Sequence, residues 1–115
     1  MKSFLFTLVI FLTIAAKKYT TNTEEQIPSR IQEKINQIKK GPKWNPRAEV
    51  HEYNYNGKRV FYFSSNCCDQ YNTVYDSNGN YIGAPGGGIG DKGDGRCPDF
   101  NRNAKQVRLV WKDDR

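Results

Sequence analysis

The sequence contains a single histidine and only three cysteines in 115 residues. The adjacent pair Cys67 and Cys68 tends to point to opposite sides of the chain, which does not suit a shared tetrahedral zinc site. A catalytic thiol would need His51 as its base and Asp69 as the orienting group, yet His51 is expected on a strand that does not aim it at the cysteines. The sequence therefore predicts a protein that is not an enzyme and needs no cofactor or metal.

Long apolar runs are absent after the first 16 residues, "MKSFLFTLVIFLTIAA". In this leader Lys2 precedes an apolar stretch and the small pair Ala15-Ala16, a pattern typical of a signal peptide. The stretch is shorter than the ~20 residues that span a bilayer. No cysteine follows it to carry a lipoprotein anchor. Residues 1–16 are therefore predicted to be removed during export, after Ala15 or Ala16, leaving a periplasmic or secreted chain without a permanent membrane span.

Positive charge is in moderate excess, with a formal net charge of +6. Nucleic-acid binding requires such charge to be gathered on one face beside stacking aromatic groups. Here the lysines and arginines are scattered along the chain. We therefore expect no nucleic-acid partner, and instead a monomer that binds a protein or an envelope polymer.

A polar segment, residues 17–26, follows the leader and is predicted to be a flexible linker before one domain at residues 27–115. The domain opens with isoleucines at positions 31, 35 and 38, the spacing of an amphipathic helix. Pro28 and Ser29 suit its start, and Gly41-Pro42 its end. The isoleucines are expected to pack on one face of a small sheet.

The segments "AEVHEYNY" and "KRVFYFSS" flank Asn56-Gly57, a strong hairpin signal. A two-residue turn pairs Val50 with Phe63, His51 with Tyr62, Glu52 with Phe61 and Tyr53 with Val60. Val50, Phe61 and Phe63 then share the face beneath the helix. The other face carries Tyr53, Tyr55 and Tyr62, and it is covered by later parts of the chain or, alternatively, is an exposed binding surface.

A second hairpin is predicted at "NTVYDSNGNYIG", with Gly79 in its turn. The last strand is "QVRLVWK", in which alternation places Val107, Leu109 and Trp111 on one side. Together these elements predict an α+β fold. One N-terminal amphipathic helix packs on a four- to five-stranded antiparallel meander that carries a glycine-rich loop.

The loop "APGGGIGDKGDGRCPDF" matches the glycine spacing of phosphate-binding motifs, but no βαβ unit surrounds it, so phosphate binding is not predicted. Calcium binding by Asp91, Asp94 and Asp99 remains an alternative, although these residues lack a recognised ligand spacing. The interpretation we favour is a loop whose glycines permit tight backbone paths. Its glycines are Gly86, Gly87, Gly88, Gly90, Gly93 and Gly95.

A disulfide is expected to hold this loop, because exported proteins meet oxidising surroundings. Neighbouring strand residues do not easily bond each other, so the predicted partner of Cys97 is either Cys67 or Cys68. A closed loop of about thirty residues would contribute roughly 3 to 4 kcal/mol. The third thiol is expected to be buried and unreactive.

Several motifs in combination resemble a family of small exported bacterial proteins of unknown function. They are "WNPRAEVHEYNYNGKRVFYF", "CCDQ", "VYDSNGNYI", "APGGGIGDKGDGRCPDF" and "WKDDR". The resemblance covers about residues 27–115 and implies one compact domain, with no activity, cofactor or catalytic residue to transfer. It also implies that relatives carry further cysteines where this chain has Arg30 and Gly83.

The function expected from the sequence is that of an exported, non-enzymatic binding or structural module of the cell envelope. One alternative is a small inhibitor that inserts the glycine-rich loop into the cleft of an envelope or secreted enzyme. A thiol enzyme is the remaining alternative. An inhibitor should project its loop away from the body, whereas an enzyme should hold His51 near a thiol.

Overall fold

A computed structural model describes residues 26–67 and 69–115, in which one main helix packs on a five-stranded antiparallel sheet. The predicted α+β class is therefore confirmed. The predicted signal peptide and all of the predicted linker except Gln26 lie outside the described residues. Within the described part of the chain, no helix has the length and apolar character needed to cross a membrane.

Helix α1 spans Ser29–Lys40, within the limits that the sequence predicts. Ile31 and Ile35 are buried on the sheet, and Ile38 packs at the edge of the same cluster. The carbonyl oxygens at the end of the helix accept hydrogen bonds from the guanidinium of Arg115. This arginine ties the far end of the described chain to the helix.

The first hairpin has the predicted register. Strand β1 is Glu49–Tyr55 and strand β2 is Lys58–Phe63, with Val50 opposite Phe63 and Tyr53 opposite Val60. Asn56 and Gly57 have φ values of 52° and 81°, as a two-residue turn of this kind requires. The side-chain oxygen of Asn54 accepts a hydrogen bond from the Gly57 amide at 3.0 Å, which further stabilises the turn.

The second hairpin joins strand β3, Tyr71–Asp76, to strand β4, Tyr81–Gly87. Both strands are longer than the sequence pattern indicates. In the turn, the Asp76 carboxylate accepts hydrogen bonds from the backbone amides of Asn78 and Asn80, both at 2.9 Å. These residues therefore build a turn, as predicted.

Strand β5, Ala104–Lys112, follows the short helix α2, Phe100–Asn103, and pairs with β1. The sheet order is β4-β3-β2-β1-β5, a four-stranded meander with β5 added beside its first strand.

The predicted strict alternation of β5 is wrong, because the β1–β5 pairing contains irregularities. Val50 lies opposite Trp111 and His51 opposite Leu109, which leaves Val110 as an extra residue. Val110 and Trp111 both pack against the core beneath the helix, whereas Val107 and Leu109 are exposed.

Each face of the sheet has its own apolar cluster. The helix side contains Ile31, Ile35, Val50, Phe61 and Phe63, as predicted. The opposite side contains Val60, Val74, Cys97 and Phe100. Because the second cluster is completed by residues beyond β4, the glycine-rich segment and α2 form the cover of that face.

A buried carboxylate, Glu52, joins three strands on the helix side of the sheet. Its Oε1 accepts hydrogen bonds from Arg59 of β2 at 2.9 Å and from Arg108 of β5 at 3.3 Å. Burial of a charge requires such partners. Glu52 therefore has a structural role in joining β5 to the hairpin.

Candidate functional site

The three tyrosines predicted as an alternative binding surface lie beneath a ring supplied by α2. Phe100 packs against Tyr53, Tyr55 and Tyr62 with ring centroids 5.2, 5.3 and 6.3 Å apart. The tyrosines are half-buried, and Phe100 itself is buried. Of the two interpretations of this face, the structure therefore shows the covered one.

The glycine-rich segment folds back along the outer edge of β4. The amides of Gly93 and Asp94 donate to the carbonyl oxygens of Gly87 and Ala84, at 3.1 and 3.0 Å. A Cβ at Gly93 would lie 2.0 Å from the Ala84 oxygen, so only glycine permits this approach. The segment thereby covers an edge strand that would otherwise offer free backbone groups to another chain.

The tip of this segment, at the 3₁₀ turn Ile89–Asp91, is exposed to solvent. Ile89 is 91% exposed. Gly90, at the turn, has open space around it, whereas Gly88 lies against the ring of Tyr71. The predicted loop glycines therefore form an anchored path along β4 rather than a freely projecting loop.

The three aspartates considered as calcium ligands each accept hydrogen bonds from other groups of the protein. Asp91 accepts a hydrogen bond from the Gly87 amide at 2.7 Å, and Asp94 accepts from the Ala84 amide at 3.0 Å and the Tyr81 hydroxyl at 2.5 Å. Asp99 accepts from Tyr55 and from Asn103. Among the described residues, no group of three or more metal-ligating side chains is present.

Two hydrogen-bonded tyrosine–aspartate pairs have shifted pKa values. The Asp99 carboxylate raises the pKa of Tyr55 to about 12, chiefly by accepting its hydrogen bond. Burial, followed by the hydrogen bond to Asp94, raises the pKa of Tyr81 to about 12. The hydrogen bond from Tyr81 lowers the pKa of Asp94 to about 2. Both pairs fix the covering segment to the sheet.

Cys97 is a free, buried thiol in the structure, so the predicted disulfide to Cys67 or Cys68 is not formed there. The cysteine packs with Val60, Val74 and Phe100 on the second face. Burial raises its pKa, and Asp94 and Asp99 add to this effect. A thiol with a raised pKa is a poor nucleophile. Cys68 lies outside the described residues.

His51, considered as the base of a thiol enzyme, has other partners. Its Nε2 lies 3.1 Å from Oε2 of Glu49, and its Nδ1 lies 3.0 Å from Nε2 of Gln106. The contact with Gln106 joins β1 to β5, whereas the contact with Glu49 lies within β1. Asp69 is exposed in the connection between β2 and β3. The hydrogen-bond partners of the His51 ring are therefore Glu49 and Gln106, and not Asp69 as the thiol-enzyme alternative requires.

A cleft of about 420 Å³ opens on the helix side of the sheet, where α1 leaves part of β3 uncovered. One wall is the end of α1 and the following segment, and the other is β3 with the chain just before it. The cleft is lined by Lys34, Gln37, Ile38, Gly41, Trp44, Phe63, Ser64, Ser65, Gln70, Tyr71, Thr73 and Tyr75.

Aromatic rings and uncharged polar groups dominate the lining. Tyr71 is 48% exposed, and the ring of Tyr75 packs edge-on against Phe63 at 5.4 Å between centroids. The Lys34 ammonium lies 4.1 Å from the centroid of Tyr75, a cation–π contact. No carboxylate, imidazole or thiol occurs among the described lining residues. This arrangement can hold a ligand by stacking and hydrogen bonding.

Sequence reasoning did not identify this cleft, although two periodic signals mark its walls. Helix positions 34, 37 and 38 follow the spacing of one helical face. Tyr71, Thr73 and Tyr75 alternate along β3 and therefore share one side of the sheet. The sequence does not indicate where the helix lies across the sheet. That position is what makes the α1 residues and the β3 residues face each other.

The model of a family described as a domain of unknown function, DUF6970, matches residues 36–113. The chain belongs to this family. The DUF6970 match begins within α1 and includes both hairpins, the glycine-rich segment and most of the cleft lining. Neither the curated proteins nor the solved structures include a significant match to the chain.

Proposed function

We propose that this protein is an exported, non-enzymatic binding module of the bacterial cell envelope, and that its ligand occupies the aromatic cleft. The observation that carries the proposal is the convergence of Trp44, Tyr71 and Tyr75 with amide and hydroxyl side chains around one open volume. Binding sites typically combine a mainly apolar lining with a few polar groups that orient the ligand.

The composition of the lining favours binding over catalysis. Proton transfer in an enzyme depends on a group such as histidine, aspartate or glutamate within reach of the substrate. The one ionisable side chain other than tyrosine in the described lining is Lys34, whose ammonium already lies over Tyr75. The cleft therefore offers contact surface and hydrogen bonds without an acid–base pair.

The walls are also preorganised. Ile35 of α1 and Phe63 of β2 belong to the same buried cluster, which fixes the helix against the sheet. Tyr75 packs between Phe63 and Tyr81, with centroid separations of 5.4 and 5.8 Å. A ligand that binds between rigid walls loses less free energy to the ordering of side chains.

The proposed location in the cell envelope rests on the N-terminal leader. Residues 1–16 have the pattern of a signal peptide, and a chain exported in this way meets envelope polymers and envelope proteins. The moderate positive charge also favours retention near anionic surfaces. A binding module acting there would need neither a cofactor nor a second subunit.

Co-sedimentation with insoluble envelope fragments of the source organism tests the proposal. The mature protein should sediment with the fragments, and Tyr71→Ala should reduce the bound fraction at least about tenfold, as for a central contact residue. Leu109→Ala is the matched control, because Leu109 is 49% exposed against 48% for Tyr71 but lies on β5. Ile89→Ala tests the inhibitor alternative, in which the exposed tip of the glycine segment makes the contact.

Equal binding of wild type and Tyr71→Ala would contradict the cleft as the site. Loss of binding in Ile89→Ala alone would favour the inhibitor alternative. Because about half of Tyr71 is exposed, its replacement should leave the fold intact, which thermal unfolding of each variant checks.

A further inference from the structure

The backbone of β3 is not available to a ligand in the cleft. Tyr71 lies opposite Gly87 of β4, and Thr73 lies opposite Phe63 of β2. A peptide that adds to a sheet as an extra strand needs an unpaired edge, and β3 is an inner strand of this sheet. A ligand in the cleft is therefore not bound by strand addition to β3, and the side chains of the lining are its main contacts.

The polar side chains that remain are neutral and can both donate and accept. Gln37 and Gln70 present amides, and Ser65 and Thr73 present hydroxyls. The Lys34 ammonium is held over the Tyr75 ring. Such a lining suits an uncharged ligand that carries many hydroxyl or acetamido groups, and it provides no carboxylate for a cationic ligand among the described lining residues.

The aromatic side chains add flat apolar surfaces beside these polar groups. Tyr71 and Tyr75 are four positions apart on β3, so their Cα atoms are about 13 Å apart along one side of the strand. Trp44 contributes a ring from the segment that follows α1. A sugar ring has the complementary character, because its C–H faces are apolar while its rim carries hydroxyl groups.

We propose that the cleft binds an uncharged glycan, with a sugar ring stacked on Tyr71 and the neighbouring sugar hydroxyl or acetamido groups bonded to Gln37 and Gln70. This inference rests on the proposed function and names its ligand class. A volume of about 420 Å³ accommodates a short oligosaccharide, and the open mouth lets a longer strand continue beyond the cleft. A peptide ligand is the alternative that the experiment separates.

Titration of the ¹⁵N-labelled mature protein followed by NMR provides the test. The probes are chitotetraose, which carries acetamido groups, cellotetraose, which carries hydroxyl groups only, and a neutral tetrapeptide. At about 1 mM, an ordinary concentration for weak binding, at least one of the two sugars should shift the amide signals of α1 near Gln37 and of β3. The tetrapeptide should not shift them.

Variants identify the contacts. Tyr71→Ala and Gln37→Ala should each weaken sugar binding about tenfold or more, while Leu109→Ala leaves it unchanged. Gln37 is an exposed helix residue, so its replacement provides a second test if Tyr71→Ala perturbs the sheet. Dispersed amide signals in each variant confirm that the fold is retained.

The outcomes separate the two proposals. If neither sugar shifts the cleft signals, or if only the tetrapeptide does, the glycan inference is overturned. Envelope fragments that still bind through Tyr71 would then leave the proposed function standing. If treatment of the fragments with protease abolishes binding while glycan-degrading enzymes do not, the ligand is a protein and the glycan inference fails.

Discussion

Cys97 lies against Gly83 of β4, and this contact indicates where an introduced cysteine could form a disulfide with Cys97. An ideal Cβ at Gly83 would lie 2.8 Å from the Cys97 sulfur. In a disulfide, the Cβ of one cysteine lies about 3 Å from the sulfur of the other. The sequence resemblance implies that relatives carry an additional cysteine at this position. A cysteine introduced at position 83 is therefore well placed to bond to Cys97.

Gly83→Cys should form a disulfide with Cys97 on mild oxidation. The cross-link closes a loop of about 15 residues and should raise stability by roughly 3 kcal/mol over the reduced variant in the chain-entropy model. Mass spectrometry of the unreduced protein should find the two cysteines joined and the mass lower by two hydrogen atoms. Chemical denaturation with and without reductant measures the gain.

Gly83→Ser is the matched control for this prediction, because serine has similar size but cannot bond. Its side chain would meet Cys97 and the Cβ of Arg96, which is 2.9 Å from the ideal Cβ, so this variant should be less stable than wild type. Free thiols at both positions in oxidised Gly83→Cys would show that the contact between β4 and the covering segment differs from the one described.

Tyr55 and Tyr81 should ionise well above pH 10 in an alkaline titration. Their pKa values are raised to about 12, by Asp99 for Tyr55 and by burial and Asp94 for Tyr81. An ordinary tyrosine has a pKa near 10. The stabilisation that these pairs provide is complete below about pH 10 and is lost as pH rises toward about 12, because the folded state holds the protons more tightly.

Tyrosinate absorbance measured against pH checks this expectation, and Tyr55→Phe and Tyr81→Phe should each remove one late step. The same variants should make stability less dependent on pH in the alkaline range. Ionisation of Tyr55 and Tyr81 near pH 10 in the wild-type protein would contradict the hydrogen bonds to Asp99 and Asp94.

Among the elements, α1 and the first hairpin could be predicted because their signals are local. The isoleucine spacing gave the helix, and Asn56-Gly57 fixed the β1–β2 register residue by residue. The β5 alternation failed because Val110 is an extra residue opposite β1. A bulge depends on pairing between segments distant in sequence, so local periodicity does not indicate it.

The buried face of α1 should contribute strongly to stability. Ile35 is 1% exposed within the cluster beneath α1. Ile35→Ala should lower the free energy of unfolding by roughly 2 to 5 kcal/mol, because it removes buried methyl groups and leaves a cavity. Urea denaturation followed by circular dichroism measures the loss.

Asn36→Ala, at the next and exposed helix position, is the control and should change stability by no more than about 0.5 kcal/mol. If Ile35→Ala is as stable as this control, the helix does not pack on the sheet through its isoleucine stripe. The cleft would then lack a fixed wall, since Lys34, Gln37 and Ile38 belong to the same helix.

At the scale of the whole molecule, the candidate site arises from how separate elements are placed. The cleft needs α1 to cover β1 and β2 while leaving the Tyr71 end of β3 open, and no single segment encodes this offset. The predicted site residues instead lie elsewhere, with Tyr53, Tyr55 and Tyr62 beneath Phe100. Of the two interpretations of that face, the structure has the favoured one, a face covered by later parts of the chain.

Arg115 links the elements that shape one end of the cleft. Its guanidinium donates to the carbonyl oxygens of Lys39 and Gly41, at 3.1 and 2.9 Å, and forms a 2.8 Å contact with Asp113. The Asp113 amide in turn donates to the Ala48 carbonyl at 2.9 Å. Arg115 therefore holds the end of α1 to the segment before β1, which includes Trp44.

Arg115→Ala should lower the melting temperature and also weaken envelope binding, although Arg115 does not line the cleft. The substitution removes donors from the helix end and leaves the carboxylate of Asp113, 1% exposed, without its guanidinium partner. Arg115 also lowers the pKa of Asp113. The stabilisation from this pair should be present above about pH 4 and lost as pH falls through the lowered value.

A double-mutant cycle with Asp113→Ala separates the pair from its surroundings, since the effects of two residues in contact should not add. Arg102→Ala, an exposed arginine on α2, is the control and should leave both the melting temperature and envelope binding unchanged. Additive effects in the cycle would mean that Arg115 and Asp113 act independently. A loss of stability without a loss of binding would mean that Trp44 is positioned by other contacts, and that the cleft does not depend on this link.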